Sequence, residues 1–183
     1  SDWSSDVCSS DLIIASQAFA EHHNLEYEFQ IAGWGMSSDA YHHVAPNLKT
    51  VRRCMQEAIS HAGLTPSDID VINAHAASTK VGDQVEFNAI KEVFGDALPP
   101  VSANKSMIGH AMGASSAIEL IFGLEGMKRH CILPTINYSA DPKLPLDCVA
   151  NGRREARQEF LLKNAFGFGG CNACLVIKHT PSS

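Results

Sequence analysis

The chain has 183 residues, 45% of them hydrophobic and 19% charged, which is enough apolar material for one globular domain with a sizeable core. Its formal net charge of −6, with no basic cluster, excludes a nucleic-acid surface. No apolar run approaches the roughly 18 residues that a membrane-spanning helix needs, and six cysteines without a signal peptide read as reduced cytoplasmic thiols.

Residues 1–12, SDWSSDVCSSDL, form a Ser/Asp-biased tract with no periodicity, read as a non-native leader outside the domain at 13–183. Ile13–His23 reads as the tail of a helix. Glu26–Trp34 alternates apolar and polar residues as a half-buried strand does. Gly35–Pro46 reads as a polar loop, after which Asn47 caps a helix whose stripe is Val51, Met55, Ala58, Ile59 and Ala62, closed by Gly63.

Asp70–Ala74 reads as a short buried strand that delivers NAHAAST, followed by a helix from about Gly82 to Phe94 with Gly95 as its stop. A strand at Val101 runs into the stretch VSANKSMIGH, and a long helix is expected from His110 to about Lys128. Ile132–Ile136 and Leu146–Val149 read as extended pieces around prolines. Phe160–Phe166 and Cys171–Lys178 read as two final strands joined by the turn Gly167-Phe168-Gly169-Gly170. The alternation βαβαβαββ predicts an α/β fold, a mixed and mostly parallel five-stranded sheet covered by helices.

Three turns carry candidate chemistry. Lys105 and His110 lie five residues apart at a strand-to-helix turn, where partial positive charge keeps an imidazole neutral. A neutral imidazole donates well to a carbonyl oxygen that is becoming an oxyanion. His75 follows a strand end, where α/β sheets place functional groups, and Phe168 lies among glycines that allow close backbone approach. Glu119 sits in an otherwise apolar helix, so a buried carboxylate there needs a partner. Adjacent histidines at His22-His23 and His42-His43 point to opposite sides of an extended chain and do not suit joint metal ligation. Cys171-x-x-Cys174 has no second pair and reads as packing rather than zinc or redox chemistry.

Taken in order, GWGMSSDAYHHVAP, NAHAASTKVGDQVE, SANKSMIGHAMGASSAIE, PTIN and NAFGFGGCN resemble the C-terminal half of a β-ketoacyl-acyl-carrier-protein synthase of the elongating type II branch, within the thiolase superfamily. The resemblance implies a thiolase-like fold and a decarboxylative Claisen condensation. In that reaction a cysteine takes the acyl chain, and the enolate of malonyl-carrier protein attacks it. By position, His75 and His110 match the two active-site histidines, Lys105 the motif lysine, Glu86 the acid paired with it, and Phe168 the gate whose N–H helps form an oxyanion hole. Thr79 matches a contact to the pantetheine arm, with Ser78, Gly169 and Gly170 beside the same channel. Asn73, Glu119 and Asn164 match a monovalent-cation site of some relatives.

The resemblance further implies no required cofactor, phosphopantetheine delivered on the acyl carrier protein, malonyl-acyl carrier protein as second substrate, and a homodimer for the full-length enzyme. None of the six cysteines has the context of the nucleophile, so the chain alone is expected to be inactive. Ala77 and Val44 stand where relatives carry hydroxyls, which predicts a weaker hold on pantetheine. Two other readings compete: a non-catalytic chain-length-factor-like partner, disfavoured by His75, Lys105 and His110, and a thiolase, disfavoured by the missing C-x-G-G-G cysteine.

Overall fold

In the computed structural model, which describes residues 12–180, helix α1 spans Gln17–His22 and strand β1 Phe29–Ser38. Residues 1–11 of the expected leader lie outside the described residues. Helix α2 (Leu48–His61) starts at Asn47, whose side chain accepts the Lys49 N–H, and it buries Val51, Cys54, Met55, Ala58 and Ile59. Strand β2 (Val71–Asn73), helix α3 (Lys80–Phe94), strand β3 (Val101–Ser102) and the single-turn helix α4 (Lys105–Ile108) follow. A 3₁₀ turn at Met112–Ala114 leads into helix α5 (Ser115–Lys128). Strands β4 (Cys131–Ile132), β5 (Arg154–Glu155), β6 (Phe160–Gly167) and β7 (Cys171–His179) complete the order.

The main sheet has five strands in the order β1-β7-β6-β2-β3. Its α/β character and βαβαβαββ order agree with the sequence reading, but the parallel character does not. The β1–β7 and β7–β6 ladders are antiparallel, while β6–β2 and β2–β3 are parallel. The reason is local: β6 and β7 are joined by a tight turn, which only an antiparallel pair can use, whereas the parallel strands are joined through helices. The pair β4–β5 forms a separate two-stranded sheet that the sequence reading did not contain.

Helices α2 and α3 cover one face, in a core built from Val51, Met55, Ile59, Ile72, Ile90 and Leu162 among others. Helix α5 covers the other, where Val71, Met127, Leu161 and Ile177 pack. Gly33 and Gly35 let β1 lie directly on α2, since a Cβ at Gly35 would stand 2.1 Å from the Cys54 carbonyl oxygen. The opposite side of β1 leaves Trp34 and Met36 exposed. Strand β1 also runs four residues beyond the expected Trp34, because Gly35–Ser38 pair fully with Cys171–Cys174. Among the described residues, no helix is long and apolar enough to cross a membrane.

Candidate active site

Strands β2 and β3 end side by side, and the loops leaving them carry His75 and the α4 turn with Lys105. The His75 and His110 rings meet edge to face with centroids 5.7 Å apart. The Phe166 ring, on β6 and two residues before Phe168, lies 5.6 Å from His75. The loop after β2, the link that carries His110 and the end of β6 therefore meet at one place. Phe168 itself is 68% exposed.

His110 does not open the long helix. Gly109, at φ +74°, ends α4, and His110 sits in the link before the 3₁₀ turn, five residues ahead of α5. Its setting comes from hydrogen bonds rather than from a helix dipole. The Met112 N–H donates to Nδ1 at 3.1 Å, and the Ser115 hydroxyl lies 3.1 Å from the same atom. With Nδ1 acting as acceptor, the ring's proton is placed on Nε2.

His75 is held from both sides. Its N–H donates to Glu86 Oε1 at 2.8 Å, and the Ala76 N–H donates to Oε2 at 2.8 Å. The Lys105 ammonium donates to the His75 carbonyl at 2.6 Å and lies 3.5 Å from Nδ1. A cation beside Nδ1 again favours the tautomer with its proton on Nε2. Burial, followed by the charges of Lys105 and Lys163 and by His110, pushes the His75 pKa down to about 3. This imidazole is a neutral donor at physiological pH.

The expected Lys105–Glu86 pair is not formed. Lys105 stands 2.6 Å from Oε1 of Glu119, at ion-pair distance though outside hydrogen-bond geometry. Glu86 is occupied by the two backbone N–H groups and by Asn164 Nδ2 at 3.0 Å, and burial pushes its carboxyl upward in pKa. The correction has a simple cause: α3 aims Glu86 at the underside of the His75 loop, while α5 aims Glu119 at α4. The second oxygen of Glu119, fully buried, accepts from Lys163 at 2.5 Å.

Asn73, Glu119 and Asn164 do not fit a monovalent metal ion. Both Glu119 oxygens face ammonium groups. The Asn164 carbonyl accepts from Lys163 at 2.8 Å and its side-chain oxygen from Cys174 Sγ at 3.3 Å. Asn73 donates to Asn104 and to the Glu119 carbonyl, and only its Oδ1 is left without a partner. A carboxylate already shared by two ammonium groups is a poor metal ligand. Among the described residues no group of three His, Cys, Asp or Glu side chains is arranged to hold a metal.

Thr79 serves α3 as its N-cap, accepting the Gly82 N–H at 3.1 Å, and Ser78 beside it is exposed with φ +61°. Gly169 and Gly170 lie at φ +76° and +78°. The Gly169 N–H donates to the His43 carbonyl and the Asp39 N–H to the Gly170 carbonyl, both at 2.9 Å. Asp39 is itself fixed by the Asn47 N–H, the Thr50 hydroxyl and Asn172 Nδ2. This latch between the 39–47 loop and the GFGG turn escaped the sequence reading, although Asp39 is the one acidic residue in the loop. Lys163 escaped it too, despite being a lysine inside a buried strand run.

A cavity of about 550 Å³ opens beside these groups, lined by Ala76, Glu86, Lys105 and His110 and by the apolar Ile136 and Leu144. Cys148 also lines it, and burial pushes its thiol pKa up, so it is a poor nucleophile.

Comparison with known proteins shows the family to which this chain belongs. The family model described as beta-ketoacyl synthase, C-terminal domain, matches residues 29–139. A 3-oxoacyl-[acyl-carrier-protein] synthase 2 of Staphylococcus aureus is 41% identical over 172 residues, 91% of this chain and 43% of its own length. The ishigamide ketosynthase/chain length factor superposes with a TM-score of 0.85 at 37% identity, over 90% of this chain and 41% of that one. A type II PKS ketosynthase, in complex with its acyl-carrier protein and bound to the hexaketide, gives 0.84 at 31%, over 91% and 42%. The chain thus spans less than half the length of the relatives it matches.

Proposed function

The chain belongs to the β-ketoacyl synthase family, in the part that forms its C-terminal domain, and we propose that it supplies the malonyl-activating side of a decarboxylative condensing enzyme. The observation that carries this reading is the meeting of the His75 and His110 rings, each with its Nδ1 beside a donor, from which we infer that the proton of each sits on Nε2. Two such donors hold the thioester oxygen of a malonyl group as carbon dioxide leaves and the enolate forms. The bond to the carboxylate breaks, its electron pair passes into the enolate, and the new carbon–carbon bond forms at an acyl thioester while the thiolate leaves. The Phe168 N–H would serve the acyl carbonyl, and Gly169 and Gly170 give the turn freedom to open.

The acyl chain needs a thiolate, and the cavity's own cysteine, Cys148, is held as a thiol. We therefore assign the nucleophile to a part of the enzyme outside this chain, and the chain alone to an inactive state. Both substrates would arrive on acyl carrier protein, whose pantetheine arm passes Ser78 and Thr79; Ala77 and Val44 weaken that contact. No cofactor enters the scheme. The cytoplasm suits it, as does assembly of the complete enzyme as a dimer.

A second reading, a partner subunit like a chain length factor, is favoured by the likeness to the ishigamide complex. It is opposed by the retained His75–Lys105–His110 cluster, which a scaffold does not use. The test grafts residues 13–180 in place of the matching half of the S. aureus enzyme and follows release of labelled carbon dioxide from malonyl-acyl carrier protein. The condensing reading expects release that falls about 10²-fold or more in His75→Ala and in His110→Ala. A soluble, correctly folded graft whose release is indifferent to both substitutions would support the partner reading instead.

A further inference from the structure

We propose that Lys163 is a built-in cation, a positioning residue whose ammonium group does at Glu119 what a monovalent metal ion would otherwise do, so that this centre works independently of potassium or sodium. Residue 163 lies in β6 opposite Asn73 of β2. Alternation along β6 turns it to the same face as Leu161, under α5 and next to the apolar cluster of Val71, Met127, Leu161 and Ile177. A lysine is expensive there unless it is paired, because desolvating the ammonium costs several kcal/mol. Lys163 is 3% exposed, and its Nζ donates to Glu119 Oε2 at 2.5 Å and to the Asn164 carbonyl at 2.8 Å.

These two acceptors connect Lys163 to everything that orients His75. Glu119 holds Lys105, and Lys105 holds the His75 carbonyl. Asn164 holds Glu86, and Glu86 holds the His75 and Ala76 N–H groups. The buried ionisable side chains of the centre are two carboxylates, Glu86 and Glu119, and two ammonium groups, Lys105 and Lys163. The formal charges balance without a metal. Without Lys163 there would be an excess negative charge, and Glu119 Oε2 and the Asn164 carbonyl oxygen would lose their donor, leaving a carboxylate and a carbonyl suited to a hard cation.

The experiment compares thermal midpoints of the full chain and of Lys163→Ser in potassium, sodium and choline chloride at one ionic strength. The wild type is expected to melt at the same temperature in all three. Lys163→Ser is expected to melt several degrees lower in choline chloride and to regain more than half of that loss, saturably, in potassium or sodium. A wild-type midpoint that climbs saturably with either metal overturns the proposal, as does a Lys163→Ser midpoint identical in all three salts. Should Lys163→Ser fail to fold in every salt, thallium(I) NMR on the wild type decides: stoichiometric thallium binding overturns the built-in cation, and its absence supports it.

Discussion

Lys105 and His75 are joined twice, through the ammonium-to-carbonyl hydrogen bond of 2.6 Å and through the approach of the same Nζ to the ring's Nδ1 at 3.5 Å. The first contact fixes the loop, and the second fixes which ring nitrogen is bare. One side chain thus sets both the position and the tautomer of a donor.

The depressed pKa of His75 has a consequence for stability. The folded chain resists protonating this ring down to about 3, while an unfolded histidine takes up a proton near 6.5. Below 6.5 the unfolded state therefore binds more protons, and stability falls as pH falls through the window from 6.5 toward 3. Urea unfolding at several pH values should show a His75-dependent slope approaching about 1.4 kcal/mol per pH unit in that window. His75→Gln should lose that part of the slope.

Breaking the Lys105–Glu119–Lys163 arrangement at its centre should cost far more than breaking it at one arm. Glu119→Gln leaves two buried ammonium groups unpaired and should destabilise by about 3–5 kcal/mol. Lys105→Met leaves Glu119 still paired with Lys163 and should cost less. Urea midpoints of the two variants give the order, and an equal loss would deny that Glu119 is shared.

Glu86→Gln replaces one of two acceptor oxygens with a donor, so one of the His75 and Ala76 N–H groups faces an NH₂. The expected loss is about 1–3 kcal/mol, the cost of an unsatisfied buried group. Faster hydrogen exchange at the amides of His75 and Ala76 should accompany it.

Close backbone packing makes a sharp contrast between two glycines. Gly35→Ala would set a methyl group 2.1 Å from the Cys54 carbonyl oxygen, which is backbone and cannot turn away, so a loss of at least about 1–3 kcal/mol is expected. Gly63→Ala meets nothing within 4 Å and suffers only from φ +70°, a strain of about 1 kcal/mol. Thermal melts of the pair test whether contact or conformation dominates.

Much of this architecture could be read from residue patterns, and the failures have physical causes. The α2 stripe, its Asn47 cap and the Gly95 stop of α3 are local signals and were legible. The start of α5 was not, because apolar residues run from Ile108 through Ala111-Met112 into the helix and hide the break at Gly109. The approach of His75 to His110 was expected from the ordered motifs. The partner of Lys105 did not, because Glu86 and Glu119 are both acids on helices and only the three-dimensional approach of α5 to α4 selects between them. Lys163 was hidden by the same logic: period-two alternation predicts a core-facing position, and nothing in one sequence reveals the carboxylate that waits there.

The most direct test of the central claim is side-chain nitrogen NMR of the histidines at about pH 7.5, with and without a non-hydrolysable malonyl thioester. His75 and His110 are both expected to carry their proton on Nε2, and these two Nε2–H signals to move together when the ligand is added. A proton on Nδ1 of either ring, or a ligand that shifts one ring and leaves the other untouched, would contradict it.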